Sequence, residues 1–277
     1  MSNFHNQTRE STSIPERLKK EGSYHLIPLY HLLRTSKLAR EGIENSGSHE
    51  FADHIYGQTP QGTWGVGYLL DALLLRLPSA QAFRARYHNA KQEVHNVIQD
   101  RKHHREIDIL FVPCGLGREI FEVDAELRQK NDHTAIEQVR WHGLDLNADL
   151  LTSLQQHAEN ELHASAQFYA GDAFNHESYQ PHYDMIVSTG FTEFLDDSET
   201  LQFYKLVREK LKNQGLFYTS GMRPHRLSDF LMRQLAELHT NYRSTAKLEM
   251  LIKQAGFSDH RTYEDDTGLQ TMVIAQK

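Results

Sequence analysis

The stretch that most constrains this chain is Ile107-Asp108-Ile109-Leu110-Phe111-Val112-Pro113-Cys114-Gly115-Leu116-Gly117. A short apolar run ends in a Gly-x-Gly turn, and Arg118-Glu119-Ile120-Phe121-Glu122-Val123 then continues at helical spacing. The pattern predicts a buried strand, a tight turn whose glycines let a ligand reach the backbone, and a helix start. About thirty residues on, a second apolar strand, Trp141-His142-Gly143-Leu144-Asp145, ends in an acid. A glycine turn after one strand and a carboxylate at the tip of the next is how a doubly wound fold holds an adenosine ribose.

The chain has 277 residues, enough for one large domain or a domain with an extension, and a formal charge of −7. That balance gives no basic footprint for nucleic acid, so none is expected as a partner. Residues 1–40 carry seven Lys and Arg against three Asp and Glu. This local excess reads as a solvated helix face, or as a surface meeting an anionic substrate. The single cysteine, Cys114, excludes an intramolecular disulfide and suggests a reducing, cytoplasmic setting. In the turn it serves as a small side chain rather than a reactive thiol. The first twenty residues are too polar for a signal peptide, and no apolar run has the length of a membrane span. Eighteen histidines and one cysteine show no metal-ligand spacing, so no metal is expected.

Residues 1–20 read as polar and frayed. An amphipathic helical pattern covers 24–45 and stops at Asn45-Ser46-Gly47-Ser48. A Gly-, Gln- and Thr-rich loop spans 57–67, and 68–99 reads as helix broken at Leu77-Pro78. From 107 onward the pattern alternates. Strands are expected near 107–113, 138–145, 166–171, 183–189, 214–221, 257–264 and 270–276. Helices are expected near 117–130, 148–160, 198–212, 227–238 and 244–255, with a polar loop at 129–137. This predicts an α/β fold, a Rossmann-like doubly wound, mostly parallel sheet of seven strands with an antiparallel last strand. Residues 1–100 form an N-terminal helical extension without strands, and 101–277 the ligand-binding domain. The extension is expected to pack on that domain and to cover its crevice.

A dinucleotide fold wants a third glycine beside the pyrophosphate, but the series here is Gly115, Gly117, Ile120. S-adenosylmethionine, which has a ribose and adenine but no pyrophosphate, avoids that requirement. Gly171-Asp172-Ala173-Phe174 closes the third strand with a carboxylate suited to the adenine amino group. Tyr183-Asp184-Met185-Ile186-Val187-Ser188-Thr189 is the fourth strand, and Leu211-Lys212-Asn213-Gln214-Gly215-Leu216-Phe217 leads into the fifth. Leu248 to Phe257 is a helix stopped by Gly256 before the sixth.

On these ordered motifs, residues 105–277 resemble the class I S-adenosylmethionine-dependent methyltransferases. The resemblance implies the seven-stranded sheet ending in a hairpin, and S-adenosylmethionine as cofactor. It implies Gly115 and Gly117 beside the methionine tail, with Pro113 and Cys114 in the same turn. Asp145 then lies on the ribose hydroxyls with Leu146 beyond it, Asp172 and Ala173 near adenine, and Thr189 at the end of strand four. The family's glycine motif usually opens with an acid, which commonly helps hold the methionine ammonium, and an extra glycine, where this chain has Phe111 and Pro113. Arg118 reads as a surface ion pair or as a contact to the cofactor carboxylate. Without the resemblance, Asp145 could cap the helix from 148 and Asp172 could hold a turn.

The acceptor side falls on Thr189-Gly190-Phe191-Thr192-Glu193-Phe194 and on Gly221-Met222-Arg223-Pro224-His225. Glu193 is a candidate base or cation ligand, or an exposed loop acid, and His225 is a second candidate base. Phe191, Arg223, Tyr24 and Tyr30 are candidate acceptor contacts, the aromatics being equally suited to core packing. The reading is methyl transfer to oxygen or nitrogen of a small molecule. A non-catalytic relative and a nicotinamide oxidoreductase are the alternatives. Oligomeric state is not legible.

Overall fold

Seven strands make one sheet: β1 (Ile107–Phe111), β2 (Val139–Asp145), β3 (Ser165–Ala170), β4 (Tyr183–Ser188), β5 (Leu211–Met222), β6 (Asp259–Glu264) and β7 (Gln270–Gln276). The computed structural model describes residues 13–44, 49–63, 65–101, 106–180, 182–236 and 239–277. The strand order is β3-β2-β1-β4-β5-β7-β6. β1 pairs in parallel with β2 and with β4, whereas β7 runs antiparallel to β5 and β6. The chain moves outward from β1 to β3 and returns beside β1 with β4, so the switch point lies at the C-terminal ends of β1 and β4. Ligands of open α/β sheets bind in the crevice there.

Twelve helices occur among the described residues: α1 (Ser13–Lys20), α2 (Leu26–Leu33), α3 (Lys37–Glu44), α4 (His49–Gly57), α5 (Val66–Leu74), α6 (Pro78–Arg101), α7 (Arg118–Gln129), α8 (His133–Gln138), α9 (Ala148–Glu161), α10 (Asp197–Lys210), α11 (Arg226–Leu235) and α12 (Thr245–Gln254). Alternation along the strands divides the core. Ile107, Ile109 and Phe111 face Ala90, Val94 and Ile98 of α6, Ile120, Val123 and Leu127 of α7, and Leu151 and Leu154 of α9. Leu110, Ile186 and Phe217 face Phe203 and Val207 of α10 and Leu248 and Ile252 of α12. Pro78 opens α6, where its missing N–H costs nothing.

The described residues fall into two compact units. One takes residues up to Arg84 together with Pro224–Thr240, the other Ala85–Arg223 together with Asn241–Lys277. The helical unit has its own core, in which Ile14, Leu18, Leu26 and Tyr30 meet Leu235 and Ala236 of the 224–240 segment. α11 thus adds Leu235 to this core, whereas Leu69 and Leu73 of α5 and Leu227 and Phe230 of α11 stay exposed.

Several local expectations are corrected. Residues 13–20 are helix rather than frayed chain, because Ile14 and Leu18, four apart, both enter that core. The helix expected over 24–45 is two helices. Ser36 breaks it by accepting the Ala39 N–H at 2.9 Å while its hydroxyl donates to the buried Asp71. The expected stop at 45–48 lies outside the described residues. The His54 ring lies 2.7 Å from Glu41 and 3.1 Å from the Thr59 carbonyl, which holds α4 to α3. Part of the loop at 129–137 is α8, capped by Asp132 accepting from Ala135 N–H at 3.2 Å and anchored by buried Ala135.

On the face shared with α10 and α12, Asp108 accepts from Lys212 Nζ at 2.7 Å and lies 3.1 Å from His142 Nε2. His142 Nδ1 meets the Tyr169 hydroxyl at 2.5 Å, and Lys212 also reaches buried Asp184 at 2.6 Å. Burial opposes ionisation of Asp108, but His142 and Lys212 outweigh it and hold the carboxyl down at about 2. A carboxyl depressed by folding stabilises fully above its unfolded value. That contribution is lost as pH falls from about 4 towards about 2. Asp108→Asn is therefore expected to cost about 2 kcal/mol in urea unfolding at pH 7 and far less near pH 2. A gap between the two proteins that stays constant over this range rules the linkage out.

Candidate active site

The turn after β1 is held by its backbone. Val112 N–H donates to the Val187 carbonyl at 2.9 Å, and Cys114 N–H to the Leu144 carbonyl at 3.0 Å. This pins the turn between the ends of β4 and β2. Gly115 and Gly117 have φ of +50° and +60°, the left-handed region that disfavours side chains. Beneath the turn Gly143 is required for a different reason: a Cβ there would lie 2.5 Å from Phe168 Cδ1 and 3.0 Å from Cys114 Sγ. Cys114 is buried. Burial, with the Asp145 charge beside it, pushes its thiol well up, so it has no thiolate character at neutral pH. Pro113 is exposed at the start of the turn. Ile120, where a dinucleotide fold has its third glycine, is a fully buried core residue.

Asp145 joins the two strand ends. Its Oδ2 accepts the Gly115 N–H at 3.0 Å and its Oδ1 the Asn147 N–H at 3.1 Å. The cap of α9 is Asn147, which accepts from Leu150 N–H at 3.0 Å, so Asp145 is not the helix cap. A carboxylate offers about four acceptor positions, and two remain. Vicinal hydroxyls of a ribose fit that remaining capacity. Leu146, next along, is 64% exposed at the strand tip, and Ala173 is buried. Asp172 is exposed and accepts the Phe174 N–H at 2.9 Å, so one oxygen holds the turn after β3.

The loop after β4 is gripped by two buried arginines. Arg86 Nη1 donates to Glu193 Oε2 at 2.9 Å and Oε1 at 3.1 Å, and Gln270 Nε2 reaches Oε1 at 3.3 Å. Both charged side chains are almost fully enclosed. A Cβ on Gly190, at φ +76°, would lie 2.5 Å from Arg86 Nη2, so the guanidinium lies against the loop backbone. Arg243 donates to the carbonyls of Thr192 and Leu195, each at 2.6 Å, and to Asp197 at 3.0 Å. Glu193 is therefore a buried ion-pair partner, not an exposed loop acid. Thr189 is half-buried at the end of β4. Phe191 packs edge-on against Phe203 at 5.1 Å and against Phe174 at 6.0 Å, which ties this loop to the one after β3.

The remaining candidates are dispersed. The Arg223 guanidinium is engaged by Glu264 and, at 2.8 Å, by the Thr245 hydroxyl. His225 belongs to the helical unit, where Nδ1 meets Ser228 Oγ at 2.9 Å and Ser228 meets Ser79 at 2.6 Å. Tyr30 is fully buried in the core of that unit, whereas Tyr24 is 62% exposed. Arg118 Nε donates to Glu122 at 2.8 Å, and its guanidinium lies over the Tyr87 ring at 6.0 Å. Arg86 and Arg243 were not legible as site residues. Only the four-residue spacing of Arg86, Ala90, Val94 and Ile98 marks Arg86 as lying on the buried stripe of its helix.

Residues 32–277 match the model of a family described as "Putative methyltransferase". No curated protein matches the chain. A protein of Bordetella parapertussis described as a possible exported protein shares the fold at a TM-score of 0.77 and 22% identity, covering 96% of this chain and 94% of that one. Magnesium protoporphyrin IX methyltransferase of Synechocystis, with bound S-adenosylhomocysteine, gives 0.54 at 11% identity over 81% of this chain and 93% of its own. Human N-acetylserotonin methyltransferase, in complex with S-adenosylmethionine, gives 0.53 at 17% identity over 98% of this chain and 72% of its own. At these identities the structural likeness is one of fold. The family match extends over most of the chain, including the whole sheet and the glycine turn at its switch point, and so the chain belongs to this family of methyltransferases.

Proposed function

We propose that the protein transfers a methyl group from S-adenosylmethionine to oxygen or nitrogen of a small-molecule acceptor. The observation that carries this reading is Asp145, which is fixed by the Gly115 and Asn147 amides and keeps acceptor capacity for ribose hydroxyls. Bound S-adenosylmethionine supplies the methyl on a sulfonium. The chain's part is alignment: the Gly115-Leu116-Gly117 turn gives backbone to the methionine end, and Asp145 orients the ribose. The loop held by Arg86 and Arg243 gives a rigid wall on the acceptor side. Glu193 acts here through Arg86, as a positioning residue. A small acceptor agrees with the net charge of −7 and with the acceptors in the names of the two methyltransferases above. The helical extension, residues 1–100, sets acceptor choice in this reading, and 101–277 binds cofactor. A cytoplasmic setting belongs to the same proposal and rests on the single, buried cysteine.

Calorimetric titration with S-adenosylmethionine, S-adenosylhomocysteine and reduced nicotinamide dinucleotide tests it. Binding of the first two and not the third is expected, and the reverse result ends the proposal. Asp145→Ala removes the acceptor of two amides and the charged partner of the ribose. It is expected to weaken S-adenosylhomocysteine binding by about 1–3 kcal/mol in a protein that still folds. Unchanged affinity in the folded variant would place the ribose elsewhere.

A further inference from the structure

Two helices of the helical unit are turned the wrong way for a surface in water. The one charge of α5 is Asp71, and it is fully buried, where the Ser36 hydroxyl and the amides of Leu38 and Gln61 donate to it. The outer face of that helix is instead Val66, Leu69 and Leu73, at three- and four-residue spacing. α11 repeats the inversion: Ser228 is buried against His225 and Ser79, while Leu227 and Phe230 face out. These five apolar side chains are between 42% and 68% exposed. The two faces are neighbours. Leu74 of α5 and Leu231 of α11 pack on one core, and the Ser79–Ser228 contact at 2.6 Å ties the chain just past α5 to α11. Apolar surface gathered in this way marks an interaction site.

The charges beside the two faces identify what covers them. Arg76, three residues past Leu73, and Arg226, four before Phe230, are exposed next to the apolar stripes. The only acids on the two helices are Asp71, which is buried, and Asp229, which pairs with Arg233 at 2.6 Å. We propose that the α5–α11 surface docks on an anionic lipid membrane, with its leucines and Phe230 at the headgroup boundary and Arg76 and Arg226 on lipid phosphates. A second copy of the chain is a poorer partner: across a two-fold axis each face brings the same arginines and no free acid to receive them. Among the described residues no helix is long and apolar enough to cross a membrane, so the contact is with the surface. Lys19 and Lys20, exposed on α1 of the same unit, add to the attraction.

The test is flotation of the full-length protein with vesicles of phosphatidylcholine alone and of phosphatidylcholine with about three-tenths phosphatidylglycerol. Wild type is expected to partition at least about tenfold more strongly onto the anionic vesicles, and less so as salt is raised. The pair Leu69→Gln with Leu73→Gln is expected to lower that partitioning by about tenfold, because the apolar area that enters the boundary is reduced. The pair Arg76→Gln with Arg226→Gln is expected to bring anionic vesicles down to within about threefold of neutral ones. All four positions are exposed, so both variants should melt as wild type does. A wild type that stays with neither vesicle overturns the proposal, as does a leucine variant that floats like wild type. Light scattering supplies the other arm. A wild-type dimer that the leucine variant dissociates would make a second copy the occupant and overturn the membrane reading.

Discussion

Gly115→Val is expected to lower affinity for S-adenosylhomocysteine by more than about 100-fold, the equivalent of roughly 3 kcal/mol, while leaving the protein folded. Gly115 has φ of +50°, and its N–H is fixed on Asp145 Oδ2 at 3.0 Å. A β-branched residue is a steric outlier in that region, so the backbone must rotate and release the Asp145 contact. The added methyls also occupy the space in which a ligand would approach the turn. Two losses follow from one substitution, since Asp145 is then no longer held for the ribose. Gly115→Ala separates them. It carries the strain of about 1–2 kcal/mol with little bulk, and about a tenfold loss is expected. Calorimetry on both variants, with melting curves to confirm folding, reads the difference. If the valine variant binds within about tenfold of wild type, this turn does not touch the ligand.

Arg86→Met is expected to cost about 3–5 kcal/mol of stability in urea unfolding, because it leaves the Glu193 carboxylate buried without its cation. Both side chains are nearly inaccessible, and Gln270 at 3.3 Å is a weak substitute for a guanidinium. The double variant Arg86→Met with Glu193→Leu should recover more than half of the loss, since replacing both partners by apolar groups is often close to neutral. Recovered stability should not bring back function. The loop from Thr189 to Asp197 would still be held by Arg243, but its Gly190 end would lose the guanidinium packed against it. The double variant should therefore be stable and poorly active. A single variant that loses less than about 1 kcal/mol would show that the pair is solvated rather than buried.

The seven strands and their order of alternation with helices were legible from residue 107 onward, because two short-range rules act there. Buried parallel strands must be continuously apolar, as in Ile109-Leu110-Phe111 and Met185-Ile186-Val187, and turns that expose backbone must carry glycine. The same rules found Gly115, Gly117 and Asp145, which owe their positions to the ends of neighbouring strands. Helix breaks were less legible. Ser36 divides one apolar pattern because its hydroxyl finds Asp71, thirty-five residues away, and periodicity carries no information about that partner.

The charged residues were the least legible, for a reason rooted in solvation. An arginine or glutamate in a helix reads as solvent-facing, since burying an unpaired charge is prohibitive. Burial becomes possible only when an opposite charge arrives from elsewhere in the chain. Arg86 and Glu193 are 107 positions apart, and Arg243 reaches Thr192 across 51. By itself the sequence determined the sheet, the glycine turn and the acid at the tip of β2, all set by local backbone needs. Only the tertiary structure decided which charges are buried and that the 224–240 segment joins the N-terminal helices. Those outcomes depend on pairings between distant residues, and the energy of such a pair exists only once the fold has brought both partners out of water.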